Sequence, residues 1–182
     1  YTYTIAANEG YHIESLTING ITTTYGNNSD VNATFTIDNV QTDTNLLVNF
    51  AINTYTVNTI ITTGQGDVTP ATATVNHGDD LTLTVTADAA NGYHIMSITC
   101  GADVVNYGNN TDLTADYTIT NITSDTVLSV AFGLDGHLIT VINNGNGNVI
   151  PVDITLTHGD DATFTLTPDD CYYIGEVLVD GE

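Results

Sequence analysis

The 182-residue chain repeats itself with a period of about 81 residues. A repeated unit of this length is a small domain copied in tandem. Arrays of such domains usually work through reach, spacing or surface rather than through one catalytic site. Three segments show the repeat: Tyr11-His12-Ile13 returns as Tyr93-His94-Ile95, Tyr25-Gly26-Asn27-Asn28-Ser29-Asp30 as Tyr107-Gly108-Asn109-Asn110-Thr111-Asp112, and His77-Gly78-Asp79-Asp80 as His158-Gly159-Asp160-Asp161.

The frame of the repeat divides the chain into one complete unit and two partial ones. Residues 53–134 form the complete unit, residues 1–52 the C-terminal part of a unit, and residues 135–182 the N-terminal part of another. We expect the segment after Asp135 to pack with a segment equivalent to residues 35–50. That segment is supplied either by the continuing chain or by a neighbouring subunit. The chain is thus predicted to continue a longer array or to self-associate into a polymer.

Short runs of alternating apolar and small polar residues fill each unit. Residues 82–86 and 127–132 show the period-two pattern of strands with one face in a core, and Gly- and Asn-containing turns separate such runs. The pattern predicts an all-β protein, a tandem array of small antiparallel β-sandwich-like domains. The expected core is Val57, Leu83, Val85, Tyr93, Ile95, Ile98, Ile119, Leu128, Val130 and Phe132, with Ile5, Tyr11, Ile13, Leu16, Ile37, Val48 and Phe50 in the first unit.

The order of motifs within the unit resembles a known family. Val68-Thr69-Pro70, Val75-Asn76-His77-Gly78, Gly92-Tyr93-His94-Ile95 and the closing segment 118–123 are similar to the divergent B-repeat (internalin-type) modules of bacterial surface proteins. The resemblance implies an extracellular or surface-attached module that is strung in arrays and serves as a stalk, adhesin segment or matrix component.

The chain has 22 acidic residues and not one Lys or Arg, so its formal net charge is -22. Binding to nucleic acid is effectively excluded, because phosphate neutralisation needs the missing side chains. No apolar run approaches the length of a membrane helix. Cohesion must come from apolar burial, backbone ladders, amides and hydroxyls, or bound ions.

The five His residues test whether the chain is an enzyme. His12 and His94 share one position of the repeat, His77 and His158 share another, and His137 aligns with Thr56. We interpret them as turn or strand-end residues that recur because the unit is copied. No nucleophile elbow, phosphate loop or Cys/His spacing of a zinc site is present. The chain is therefore not expected to be an enzyme, and no cofactor is predicted apart from calcium.

Calcium is the metal that the turn chemistry favours, because carboxylates are the hard oxygen donors that Ca²⁺ prefers. The alternative is that these residues only make turns. The candidate ligands are Asp30, Asp79, Asp80, Asp160 and Asp161.

Two cysteines and four sequons complete the candidate sites. Cys100 aligns with a strand and Cys171 with a turn, so a disulfide between them would join neighbouring units; reduced thiols are equally compatible with the pattern. N-glycosylation sequons begin at Asn27, Asn32, Asn109 and Asn121.

These observations favour a structural role as part of an extracellular filament, stalk or matrix fibre. The rival hypothesis is an adhesin-type binding module that holds glycan or a surface protein through its turn loops. Tyr25 and Tyr107, taken as exposed, would be its contact residues, although they are equally natural as turn residues.

Overall fold

The computed structural model describes residues 1–181 and is 54% β-strand. No α-helix occurs in this part of the chain, and a single 3₁₀ turn covers Ala89–Asn91. The all-β prediction is therefore confirmed. Residues 1–52 form β1 (Thr2–Ala6), β2 (Tyr11–Ile18), β3 (Ile21–Thr24), β4 (Asn32–Thr36) and β5 (Leu46–Ile52).

The central segment packs two sheets face to face. Its strands are β6 (Thr54–Thr63), β7 (Gly66–Thr69), β8 (Thr72–Asn76), β9 (Leu81–Ala87), β10 (Tyr93–Cys100), β11 (Asp103–Asn106), β12 (Thr114–Ile119) and β13 (Thr126–Leu134). One sheet has the order β11-β10-β13-β6-β8 and the other β12-β9-β7. Two buried clusters form its core: a larger one of Val68, Leu83, Val85, Ala87, Ile95, Ile98, Leu128, Val130 and Phe132, and a smaller one of Val57, Val75 and Ile122.

The predicted antiparallel pairing holds with one exception, because β6 and β13 run parallel. The chain enters the central unit through β6 and leaves it through β13, so these two neighbouring strands point the same way. β13, which is nine residues long, continues the chain toward the next unit without a reversal. Parallel pairing of the entering and leaving strands makes successive units advance in one direction.

The flanking segments carry partial versions of the same two sheets. In residues 1–52, β3-β2-β5 faces β1-β4 around a small core of Ile5, Ile13 and Leu16. Residues 135–181 form β14 (Gly136–Ile139), β15 (Gly147–Ile150), β16 (Ile154–Thr157) and β17 (Thr165–Pro168), paired β14-β16 and β15-β17. None of residues 135–181 is buried.

The predicted core is wrong at Tyr11 and Phe50, which are 44% and 45% exposed, whereas the other predicted core residues are buried or half-buried. Phe132, the counterpart of Phe50, is buried under the turn between β6 and β7, where a Cβ on Gly66 would meet its ring. The described part of the first unit contains no counterpart of that turn, so Phe50 stays open to solvent.

Substituting the two phenylalanines separates these environments. Phe132→Ala should lower the free energy of unfolding of the central unit by about 3–5 kcal/mol, because it empties a fully packed site. The matched variant Phe50→Ala should cost under about 1.5 kcal/mol, because half of that side chain is already in water. Denaturant unfolding followed by tyrosine fluorescence measures both, and equal losses would contradict the packing described above.

Candidate functional site at the joints between units

Consecutive units are connected by a single residue. β5 ends at Ile52 and β6 begins at Thr54, so Asn53 alone forms the first joint; β13 ends at Leu134 and β14 begins at Gly136, so Asp135 alone forms the second joint. Asn53 is only 7% exposed. A buried one-residue connection leaves little freedom for one unit to swing against the next.

Backbone hydrogen bonds hold each linker residue from both sides. At the first joint the Asn53 N–H donates to the Gly10 carbonyl and the Asn53 carbonyl accepts from the His77 N–H, both at 2.8 Å. The second joint repeats this arrangement, with Asp135 between Gly92 (2.7 Å) and His158 (2.8 Å). Each linker is therefore bonded to the unit before it and to the unit after it.

A buried histidine satisfies the side chain of each linker. His12 Nδ1 lies 2.9 Å from Asn53 Oδ1, and His94 Nδ1 lies 2.9 Å from Asp135 Oδ1. Both acceptors are oxygens, so in each case the ring nitrogen is the donor. His12 and His94 are each 7% exposed. Because a buried donor without a partner is costly, these contacts specify the linker residue as well as its position.

An asparagine side chain of the preceding unit hydrogen-bonds both backbone polar groups of the first residue of the next unit, an arrangement called the asparagine grip below. Asn28 Nδ2 donates to the Thr54 carbonyl at 2.7 Å while Asn28 Oδ1 accepts from the Thr54 N–H at 3.4 Å. Asn110 does the same to Gly136, with distances of 2.7 and 3.2 Å. A side-chain amide that bonds both polar groups of one residue acts as a short strand partner.

The loops that present these asparagines are capped by a carboxylate. Asp112 Oδ2 accepts the N–H groups of Asn109 at 2.8 Å and Gly108 at 3.0 Å, and Asp30 accepts the Asn27 N–H at 2.8 Å in the first unit. The hydrogen bond from the Asn109 N–H, and after it those from the Gly108 N–H and the Asn109 side chain, hold the pKa of Asp112 below its ordinary value. A depressed pKa means that this cap stabilises the loop at neutral pH, and the contribution is lost as pH falls through the folded-state pKa.

A histidine ring from the following unit covers a glycine at each joint. Gly10 and Gly92 have φ of +77° and +71°, in the left-handed region that favours glycine. A Cβ at either position would lie 2.5 Å from Cδ2 of His77 or His158 respectively. The units approach this closely only because the two positions carry no side chain.

A second ring lies beside each covering histidine. Tyr55 Oη is 3.4 Å from His77 Nδ1 at the first joint, and His137 Nε2 is 3.2 Å from His158 Nδ1 at the second. The strand register places Tyr55 opposite Val75 and His137 opposite Leu156, so His137 is the counterpart of Tyr55. The alignment of His137 with Thr56 is therefore wrong by one residue. All five histidines lie at the two joints, where they contact the linker or its neighbours.

The calcium candidates lie at separate turns. Asp79 accepts from the Asn76 side chain, Asp80 from the Asn121 N–H, and Asp160 from the Thr157 N–H. Asp30 caps its own loop, and Asp161 is exposed. Within residues 1–181 the structure forms no group of three or more His, Cys, Asp or Glu side chains suited to a metal ion. Calcium binding at these turns stays a prediction.

The two cysteines are free thiols in the structure, which is one of the two alternatives left open by the sequence, and a disulfide between them stays a prediction. Cys171 is exposed and has φ of +70°, like its counterparts Gly10 and Gly92. Cys100 is half-buried, and this burial, followed by the charge of Asp103, raises the pKa of its thiol. Asp103 also accepts the Tyr117 hydroxyl at 2.6 Å, which raises the pKa of Tyr117.

The two tyrosines predicted as ligand contacts and the four sequon asparagines differ in how far they are exposed. Tyr25 and Tyr107 are half-buried and pack against the cores of their units, so the expectation that they are exposed is wrong. Each tyrosine is held beside the neighbouring strand by its backbone, since the Tyr25 N–H donates to the Glu14 carbonyl at 2.9 Å and the Tyr107 N–H to the Met96 carbonyl at 2.8 Å. The four sequon asparagines Asn27, Asn32, Asn109 and Asn121 are exposed, and their glycosylation stays a prediction.

Comparison with known proteins gives one match, to a family of protein domains. The fold is an all-β tandem repeat with joints of one design. The model of the divergent InlB B-repeat domain family matches residues 55–135, which confirms the resemblance predicted from the motifs. Domains of this type occur in bacterial surface proteins. No curated protein and no solved structure matches the chain. Among residues 1–181, no helix combines the length and apolar character needed to cross a membrane.

Gly92→Ala tests the close approach at the second joint. The new methyl group collides with the His158 ring, so we expect the imidazole resonances of His158 to shift and the thermal transition of the chain to fall. Gly101→Ala is the matched control, since Gly101 also has a positive φ (+59°) but no atom within 4 Å of the added Cβ. Both variants pay the cost of a left-handed alanine, and only Gly92→Ala should perturb His158. Identical NMR spectra around His158 in the two variants would refute the contact.

Proposed function

We propose that this chain is a structural component of an extracellular filament, stalk or matrix fibre on a bacterial surface. The observation that carries the proposal is the joint, which occurs twice with the same set of contacts. At each joint a one-residue linker, a buried histidine, an asparagine grip and a ring over glycine fix one unit to the next. Fixed joints suit a load-bearing or spacing element, because they keep successive units in one orientation.

The alternative, an adhesin-type module, has less support from the loops. The tyrosines that would contact a ligand pack inward. In the same loops Asn28 and Asn110 bond across the joint, while Asp30 and Asp112 cap the loops themselves. These loops serve the connection between units, so we place the function in the array rather than in a ligand site.

The proposed rigidity is tested by removing the asparagine grips. In the double variant Asn28→Ala and Asn110→Ala each joint loses two hydrogen bonds, about 1–3 kcal/mol per joint. We expect small-angle scattering to show one extended shape for the natural chain and a broad distribution of shapes for the variant. Asn144→Ala, at an exposed position outside the joints, is the control. A natural chain that is already a flexible string of units would overturn the proposal.

Self-association is the second part of the proposal. β5 pairs with β2 along one edge, and in residues 1–181 no strand pairs with its other edge. In the central unit the corresponding edge of β13 holds β6, with Ile60 beside Ser129. The counterpart of Ile60 is Ile142, and the counterpart of Ser129 is Leu47. Residues 140–146 form no strand, and Ile142 is 79% exposed. We propose that this segment of a second copy lies along β5 in parallel, as β6 lies along β13.

Ile142→Pro tests this pairing. In the central unit the Thr59 N–H points to the β8 side, so the Ile60 N–H points toward β13, and the Ile142 N–H would likewise point toward β5. Proline removes that donor, so sedimentation should show concentration-dependent head-to-tail association for the natural chain and a monomer for the variant. Val152→Pro, also exposed and outside the strands, should associate like the natural chain. A natural chain that remains monomeric at every concentration would contradict completion by a second copy.

A further inference from the structure

The second joint carries a pair of histidines that the first joint lacks. His137 Nε2 and His158 Nδ1 lie 3.2 Å apart, with ring centroids separated by 5.3 Å and ring planes inclined by 52°. Both residues are exposed. At the first joint Tyr55 takes the place of His137, so the same position offers a phenol oxygen in one joint and an imidazole nitrogen in the other. The two joints therefore have the same geometry at this position but present different functional groups.

We propose that His137 and His158 form a two-histidine site for a borderline transition-metal cation such as Zn²⁺, Ni²⁺ or Cu²⁺. Two imidazole nitrogens that bind one tetrahedral Zn²⁺ at about 2.0–2.1 Å lie roughly 3.3 Å from each other. The observed separation of 3.2 Å is close to that value. Small rotations of the two exposed rings direct both lone pairs at one ion, and water molecules fill the remaining coordination positions.

The joint holds both ligands in place before any metal binds. The His158 N–H donates to the Asp135 carbonyl, and its ring lies against Gly92. His137 follows Gly136, which is gripped by Asn110 through both of its backbone polar groups. Ligands whose backbones are already fixed lose little conformational freedom on binding, so more of the binding energy is retained.

Charge and ligand type narrow the choice of ion. The chain carries 22 acidic residues and no Lys or Arg, so cations are attracted and no fixed positive side chain opposes them. Imidazole nitrogens favour Zn²⁺, Ni²⁺ and Cu²⁺, whereas Ca²⁺ and Mg²⁺ prefer oxygen ligands. A bound ion would link β14 to the turn after β16 and brace the second joint. Because histidine binds metal only in its neutral form, acidification should release the ion.

The test is a Zn²⁺ titration of the full chain by calorimetry and NMR at pH 7.5. We expect saturable binding of one ion per chain, with the imidazole resonances of His137 and His158 shifting together while those of His12 and His94 stay in place. His137→Tyr installs the residue that the first joint already accommodates, so the fold should be kept, and the affinity should fall about tenfold or more because one of two ligands is lost.

Two further variants use the first joint as an internal control. Tyr55→His should create a second Zn²⁺ site next to His77, and His77→Ala should leave binding at the second joint unchanged. Equal Zn²⁺ affinity in the natural chain and in His137→Tyr would overturn the proposal, since the ion would then be bound by other groups. Absence of saturable binding by the natural chain would overturn it as well.

Discussion

The arrangement of the whole chain depends on the one-residue connection between units. With Asn53 or Asp135 as the only linker, the strand that ends one unit passes directly into the strand that begins the next. The leaving strand β13 lies parallel to the entering strand β6, so the direction of the chain is maintained through the central unit. Every other contact at the joint acts on this short connection, by bonding its backbone, pairing its side chain or filling the space beside it.

The joints also explain how a chain without Lys or Arg keeps its units together. Their polar contacts use histidine, asparagine, aspartate and backbone groups, and His94 with Asp135 is the one pairing within residues 1–181 that becomes a salt bridge when the ring is protonated. The first joint makes the same contact with the neutral Asn53. A neutral and a potentially charged pair thus occupy equivalent places, which shows that the geometry of the joint does not require an ion pair. In a chain of such high negative charge, neutral hydrogen bonds also avoid adding to the repulsion.

The local sequence pattern predicts much of the fold but little of the contacts at the joints. Period-two alternation predicted the strands and most of the core, including Leu83, Val85 and Leu128. A strand that buries one face places apolar and polar residues alternately along the sequence, so the pattern is visible locally. The bulges between Ile13 and Ser15 and between Ile95 and Ser97 interrupt that alternation, and no local signal marks them. Phe50 and Phe132 have the same local pattern but different burial, because their burial is decided by a turn that is distant in sequence. The repeated Asn and His residues were visible as motifs, yet their partners lie in the next unit, so their role could not be derived from one unit alone.

The sequence by itself determined the all-β class and the tandem repeat, since these depend on periodicity and self-similarity. Only the tertiary structure decided that the entering and leaving strands run parallel and that all five histidines meet at the joints. It also showed that His137 lies beside His158 as Tyr55 lies beside His77. The physical reason is range: strand formation is governed by residues one or two positions apart, whereas a joint brings together residues about 20 to 70 positions apart whose proximity depends on the completed sheets.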